Sequence, residues 1–318
     1  MALTGFLAAV AASLLVGGVV YLWGHRIGLV DRPDGSLKTH ADPVVPLGGA
    51  AILVGLHVGL AVADAFDPAL LVATVLVWVL GLVDDVRGLG PGKRLVGAAV
   101  AGLALALMSD LPEGFVFVLL WTLATVVVVN AVNLLDGIDG LAATVSIVSL
   151  GGLWWFGVAQ GVVGPHFYLV SIGAVLGLIY WNWHPARLFL GDNGAYVLGV
   201  VLSWAALRAS PDGTAGLVAL AIIGVPLLDM AVTVARRLGA RAPLVSGDRD
   251  HSYDRLMRSR IRVEVVVLIF VAAQAIWSAA LLTASIVAND LVALILAPVL
   301  GLVVVGIVTF TRGPSTAA

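Results

Sequence analysis

Long apolar blocks separated by short polar junctions dominate the chain, at 4–23, 47–63, 68–83, 95–108, 115–134, 140–159, 165–183, 194–209, 215–235, 263–286 and 291–310. Blocks of roughly 20 apolar residues cross a bilayer as helices, because a helix satisfies its own backbone polar groups in lipid. Apolar residues fill these blocks rather than recurring on one face, which argues against amphipathic surface helices. The pattern predicts an all-α polytopic membrane helix bundle of about 11 transmembrane helices, or ten, the fourth block being short. No Lys or Arg precedes the first block, and it is longer than a signal-peptide core, so it reads as a retained span.

Composition agrees. Of 318 residues, 61% are hydrophobic and 11% charged, with a mean hydropathy of +1.08. A soluble domain carries about 25% charged residues, so a water-facing surface of this size is excluded. Intrinsic disorder, which needs low hydrophobicity, is excluded too. The absence of cysteine removes disulfides, thiolate nucleophiles and Cys-ligated metals. Charge fixes the expected orientation. Fifteen of the 17 Lys and Arg fall in junctions that follow odd-numbered blocks, and Arg312 falls on the same side. Only Arg208 lies opposite, where Asp64, Asp67, Asp110, Glu113, Asp212 and Asp290 collect. Basic loops stay in the cytoplasm. This predicts a multi-pass protein of the plasma (inner) membrane with its N-terminus outside and its C-terminus inside. Segments 24–46, 84–94, 136–140, 184–194 and 236–262 then all face the cytoplasm.

Those same junctions hold the polar clusters. Asp84 and Asp85 stand together at the end of the third block. Like charges ~4 Å apart repel by about 4 kcal/mol at an effective dielectric of 20, so a cation is expected nearby: Arg87, Lys93, Arg94 or a metal. A charge cluster that merely ends the helix is the competing reading. The block Asn130-Ala-Val-Asn133-Leu-Leu-Asp136-Gly-Ile-Asp139-Gly140 is more specific. Helical spacing puts Asn130, Asn133 and Asp136 near one face, and two glycines free the backbone to turn around the carboxylates. Asp192 lies between glycines in Phe189-Leu-Gly-Asp-Asn-Gly194, as an N-cap or as a metal or substrate ligand. Oxygen-only donors favour Mg²⁺ or Mn²⁺ over zinc. Segment 236–262 carries eight Arg, among them Arg249 and Arg255 around His251. Orientation and attraction to anionic lipid account for most of them, whereas the embedded His251 reads as part of a phosphate-gripping loop. Asp31–Gly49 is a Pro/Gly-rich loop with Lys38 and His40. Asp229, inside the ninth block, is expected to face the bundle and bond a partner. His25, His57, His166 and His184 are assigned to interface or packing.

Taken in order over about residues 28–262, these elements resemble the polyprenyl-phosphate N-acetylhexosamine-1-phosphate transferase family. The resemblance rests on Lys38, His40, Pro46 and Gly48-Gly49, on Asp84-Asp85, on the Asn130–Gly140 block, on Phe189-Leu-Gly-Asp192, and on Val225-Pro with Asp229. Two departures stand out. Only His251 occupies a last loop that is usually His-rich, with Tyr253 and Asp254 where further His would stand, and the Gly-Asp motif ends in Ala195 rather than Ser. The His-poor loop points to the GlcNAc-1-phosphate branch rather than the peptidoglycan translocase.

The resemblance implies one transmembrane catalytic domain over 1–318. It would move HexNAc 1-phosphate, GlcNAc first, from a UDP-N-acetylhexosamine to polyprenyl phosphate at the cytoplasmic face, with Mg²⁺ (or Mn²⁺) as cofactor. It also implies roles. Asp192 would ligate the metal with Asp84 or Asp85, one of which would alternatively deprotonate the lipid phosphate. Asn130, Asn133, Asp136 and Asp139 would hold nucleotide and phosphate. Arg249, His251 and Arg255 would hold diphosphate and sugar, with Lys38, His40 and Phe189 as further substrate contacts. Direct attack and passage through an Asp-phosphate both remain open. No nucleic-acid partner is expected, and a homodimer is compatible. Two rivals fit less well: a CDP-alcohol phosphotransferase needs an Ala-Arg after Asp136-Gly, and a cation-coupled transporter would place its carboxylates near the bilayer midplane.

Overall fold

A computed structural model describes residues 1–31, 43–109, 114–162, 164–210, 213–241 and 250–310, so Lys38, His40 and Arg249 lie outside the described residues. Each apolar block is helical. The described residues form α1 (Ala2–Ile27), α2 (Gly48–Val62), α3 (Pro68–Arg87), α4 (Pro91–Met108), α5 (Phe115–Leu135), α6 (Leu141–Ala159) and α7 (Pro165–Asn182). These are followed by α8 (Gly191–Arg208), α9 (Gly213–Ile222), α10 (Gly224–Gly239), the short α11 (Ser252–Arg258), α12 (Val263–Val287) and α13 (Asp290–Phe310). The chain is an all-α polytopic membrane protein. By length and apolarity six helices among the described residues qualify as spans on their own, namely α1, α3, α4, α5, α6 and α12, with a seventh if the bent α9–α10 pair counts as one span. α2, at 15 residues, is shorter.

α8 is the axis of the bundle. Residues 193 to 207 are all buried, and α2, α3, α5 and α6 pack around them. Such close packing requires small residues at the crossings. A side chain at Gly81 of α3 or at Gly49 of α2 would collide with the backbone of Asn193 and Gly194, so only glycine lets these helices approach the start of α8. α1 lies outside this core against α2 and α7, while α12 covers α6 and α13.

The single ninth block, 215–235, is a correction. It folds as two helices, α9 and α10, which meet at 78°. Gly224 lies at the bend under Trp277, and Pro226 occupies the first turn of α10. Backbone groups freed by a break inside lipid must find partners. Gln274 of α12 supplies them: its Nε2 donates to the Ile222 carbonyl at 2.7 Å and its Oε1 accepts from the Val225 amide at 2.9 Å. Trp277 Nε1 donates to the Ala221 carbonyl at 2.7 Å.

Helices start and stop alternately at one end of the bundle. Pro46, Asp84, Gly88, Asp136, Asp139, Asn182, Gly191, Met257 and Val263 line a common cavity there. All five segments expected to share one side thus contribute to it.

Candidate active site

The cavity has a volume of about 850 Å³. Its wall is acidic, with Asp31, Asp84, Asp85, Asp136, Asp139 and Asp192 on it, together with Asn133, His184 and Phe189. The geometry separates the carboxylates into those whose oxygens are committed and those left open.

Asp84 is buried and saturated. Its Oδ2 pairs with Arg94 Nε at 2.7 Å and accepts from Tyr196 OH at 2.7 Å, while Oδ1 accepts from the Leu89 amide at 2.6 Å. The cation expected beside the Asp pair is therefore Arg94. Asp85 caps α8 from another helix: Oδ1 accepts from the Asp192 amide at 2.9 Å, and Oδ2 accepts from the Asn193 amide at 3.1 Å and its side-chain Nδ2 at 2.6 Å. These are first-turn amides of α8 that no residue of that helix satisfies. The N-cap position itself is Leu190, with no side-chain cap. Asp192 is thus not the cap, and the bland reading of that residue fails. Its Oδ1 accepts from Asn133 Nδ2 at 2.6 Å.

Asp136 follows α5 and has no hydrogen-bond donor to its carboxylate among the described residues. Burial, then the negative charges of Asp192, Asp85 and Asp139, push its pKa well above the ordinary carboxylate range. Asp139 faces elsewhere: its Oδ2 accepts from His184 Nδ1 at 2.7 Å and from the Ala186 amide at 3.0 Å. The assignment of His184 to packing is therefore corrected. It lines the cavity, and what hid it is that its partner lies 45 residues away in sequence. Phe189 also lines the cavity, held by its amide on the Val45 carbonyl at 3.0 Å and by its carbonyl on the Gly48 amide at 2.9 Å.

Asn130, His251 and Arg255 are not on the cavity wall. Asn130 Nδ2 donates back to the Val126 carbonyl at 2.7 Å. His251 is buried, with Nδ1 donating to Asp229 Oδ2 at 3.0 Å, and it stacks on Tyr253 with ring centroids 5.2 Å apart. Asp229 is thereby a partnered structural carboxylate. Tyr253 in turn packs against Gly137, where any side chain would collide with it, and donates to the Leu134 carbonyl at 3.3 Å. This loop reaches the site through Tyr253 and Met257. Arg255 grips Asp250 with Nε at 3.1 Å and Nη2 at 2.8 Å, and Arg258 binds the same carboxylate. Burial pushes Asp250 up, but hydrogen bonds from Arg255 and Arg258 and the charges of Arg255 and Arg236 hold it below the usual range.

The donor set suits a hard cation. No three His, Asp or Glu side chains among the described residues converge closely enough to hold an ion by themselves. Mg²⁺ keeps several waters and is bound by one or two carboxylates plus substrate phosphates, so close convergence is not required. The open oxygens here belong to Asp136 and Asp192, and their mutual repulsion is what a divalent ion would relieve. A second cavity, about 420 Å³ between α5, α8, α9 and α10, is lined by apolar side chains and Ser210 and offers no such chemistry.

Residues 68–210 match the model of glycosyl transferase family 4. The chain is 29% identical over 286 residues to a probable undecaprenyl-phosphate N-acetylglucosaminyl 1-phosphate transferase of Bacillus subtilis, covering 83% of this chain and 79% of that protein. It is 28% identical over 326 residues to the decaprenyl-phosphate N-acetylglucosaminephosphotransferase of Mycobacterium tuberculosis (85% and 80% covered). It is also 28% identical over 262 residues to the undecaprenyl-phosphate alpha-N-acetylglucosaminyl 1-phosphate transferase of Salmonella typhimurium (74% and 70% covered).

Proposed function

Because the chain belongs to glycosyl transferase family 4, we propose that it transfers N-acetylglucosamine 1-phosphate from UDP-N-acetylglucosamine to a polyprenyl phosphate, releasing UMP. The observation that carries this reading is the acidic cavity at one end of the bundle, where Asp192 and Asp136 keep carboxylate oxygens open while Asp84 and Asp85 are committed to scaffolding. The similarity to the three lipid-phosphate transferases supports the acceptor and the sugar.

An oxygen of the lipid phosphate attacks the β-phosphorus of the donor, a new P–O bond forms, and the bond from that phosphorus to the bridging oxygen breaks, so that UMP leaves. Attack on an anionic phosphorus makes catalysis mostly a matter of positioning and charge neutralisation. Mg²⁺, or Mn²⁺, when bound supplies neutralisation of the diphosphate. Asp192 and Asp136 would hold that ion. Asp85 fixes the first turn of α8, and Arg94 and Tyr196 hold Asp84 against it. Asn133 sets the rotamer of Asp192. On the basic-residue asymmetry, the cavity opens to the cytoplasm of the plasma membrane, where UDP-sugars are made.

A transfer assay on the detergent-purified protein tests the reading. UDP-GlcNAc and polyprenyl phosphate should give polyprenyl-diphospho-GlcNAc in Mg²⁺, and EDTA should abolish it. Asp192→Asn keeps the shape and should lower turnover at least ~10²-fold, as loss of one electrostatic group does. Product formation undiminished in EDTA would remove the metal, and no transfer from any UDP-HexNAc would remove the function.

A further inference from the structure

Six Asp side chains line the cavity, yet its substrates would both be anionic. Among the described residues on its wall, one side chain can carry positive charge: His184. Its surroundings orient it firmly. Asn182 Nδ2 donates to the Leu188 carbonyl at 3.0 Å, and the Gly140 amide donates to Asn182 Oδ1 at 3.2 Å, which ties the turn after α7 to the turn after α5. Asp139 then accepts from both His184 Nδ1 and the Ala186 amide, fixing the ring and its protonated nitrogen. A carboxylate on Nδ1 holds the proton at that nitrogen and leaves Nε2 on the far side of the ring from Asp139. Nε2 has no hydrogen-bond partner among the described residues. An oriented ring, an unused nitrogen and a cavity otherwise walled by carboxylates together match an anion contact.

We propose that His184 is a catalytic residue of the transfer, donating as the imidazolium from Nε2 to a phosphate oxygen of the substrate while Nδ1 donates to Asp139, and that Asp139 is the positioning residue that holds it. The proposal rests on the transferase reading for the identity of the phosphate, but the contact itself is testable without it. In this arrangement Asp139 does not touch nucleotide. It works through the imidazole, while Asp136 and Asp192 serve the cation side of the same phosphate.

Two measurements on the detergent-purified full chain decide it. In the transfer assay, His184→Ala and His184→Gln should each lower kcat/KM ten- to hundredfold, the loss of one hydrogen bond to a charged group. Asp139→Asn should lower it less, and the His184→Ala/Asp139→Asn double variant should be no worse than His184→Ala alone, because the two act as one unit. The second readout is binding of inorganic pyrophosphate in Mg²⁺, followed by calorimetry. His184→Ala should weaken it at least about tenfold. The half-exposed ring leaves the variant free to fold, and a melting curve matched to wild type establishes that it has; His184→Gln serves if Ala melts early. Unchanged kcat/KM and unchanged pyrophosphate affinity in a folded variant would overturn the proposal, as would a lowered melting temperature with both constants intact, which is the signature of packing. If the wild type transfers no sugar phosphate from any UDP-HexNAc, the transferase reading fails, yet a His184-dependent pyrophosphate affinity would still support the contact and a His184-independent one would overturn it.

Discussion

Asp136 stands at the end of α5 with no hydrogen-bond donor to its carboxylate among the described residues, and Asp192, Asp85 and Asp139 add their charges to its burial. Its folded-state pKa is therefore raised above the unfolded value of about 3.9. The linkage has a definite sign. Below the unfolded value both states hold the proton and stability is complete; as pH rises through the gap, the unfolded chain releases the proton that the folded chain retains, and stability falls until the folded value is passed. The melting temperature of the protein in EDTA should therefore decline as pH rises above about 4, and Asp136→Asn should flatten that decline. Mg²⁺ should restore the loss at the upper end in the wild type and less so in the variant. Parallel pH curves for wild type and Asp136→Asn would show that this carboxyl is not the strained one. Much at this scale was legible from spacing alone: Asp84-Asp85, Asn133, Asp136 and Asp192 are local signatures, and all reach one cavity. What was not legible are the partners. Asp85 capping α8 and Asp139 orienting His184 join residues 107 and 45 positions apart, and no periodicity reports such pairs.

The helices follow from the apolar blocks because lipid leaves the backbone no alternative. α8 departs from a simple span for a physical reason: its first turn brings Asp192 to the cavity and Asn193 to Asp85 and the Pro46 carbonyl, so polar side chains stand at that end. The break between α9 and α10 leaves no mark in the apolar pattern, which continues without interruption across Gly224 and Pro226. Its stability depends on α12. Gln274 is fully buried and answers both the Ile222 carbonyl and the Val225 amide. Gln274→Leu preserves volume but leaves two buried backbone groups unsatisfied, each worth about 1–3 kcal/mol. Melting of the detergent-solubilised variant should fall by several degrees, and α10 should become accessible to protease near Gly224. A Gln274→Leu protein that melts like wild type would mean that Trp277 alone holds the bend.

Across the whole molecule, the charge asymmetry and the architecture agree on one point: the polar junctions gather at a single end. α8 begins at the cavity with Asp192 and runs away from it to Arg208, and α11 returns to the cavity at Met257, so the bent α9–α10 pair completes one traverse and the alternation of the bundle survives the break. α12 then leaves the cavity end at Val263 and spans 25 residues to Val287, about 37 Å at 1.5 Å per residue. Its two flanks are therefore reporters for opposite membrane faces. With no native cysteine, single thiols can be placed without background. Ser259 and Ala288 are both exposed, the first beside α11 and the second just past α12. In intact cells an impermeant maleimide should label Ala288→Cys and spare Ser259→Cys, and permeabilisation should expose the second thiol to the reagent. Basic residues drive this orientation: Arg255, Arg258, Arg260 and Arg262 flank Ser259, whereas Asp290 lies beside Ala288. Labelling of Ser259→Cys before permeabilisation, with Ala288→Cys protected, would invert the bundle and put the cavity on the side where no UDP-sugar is available.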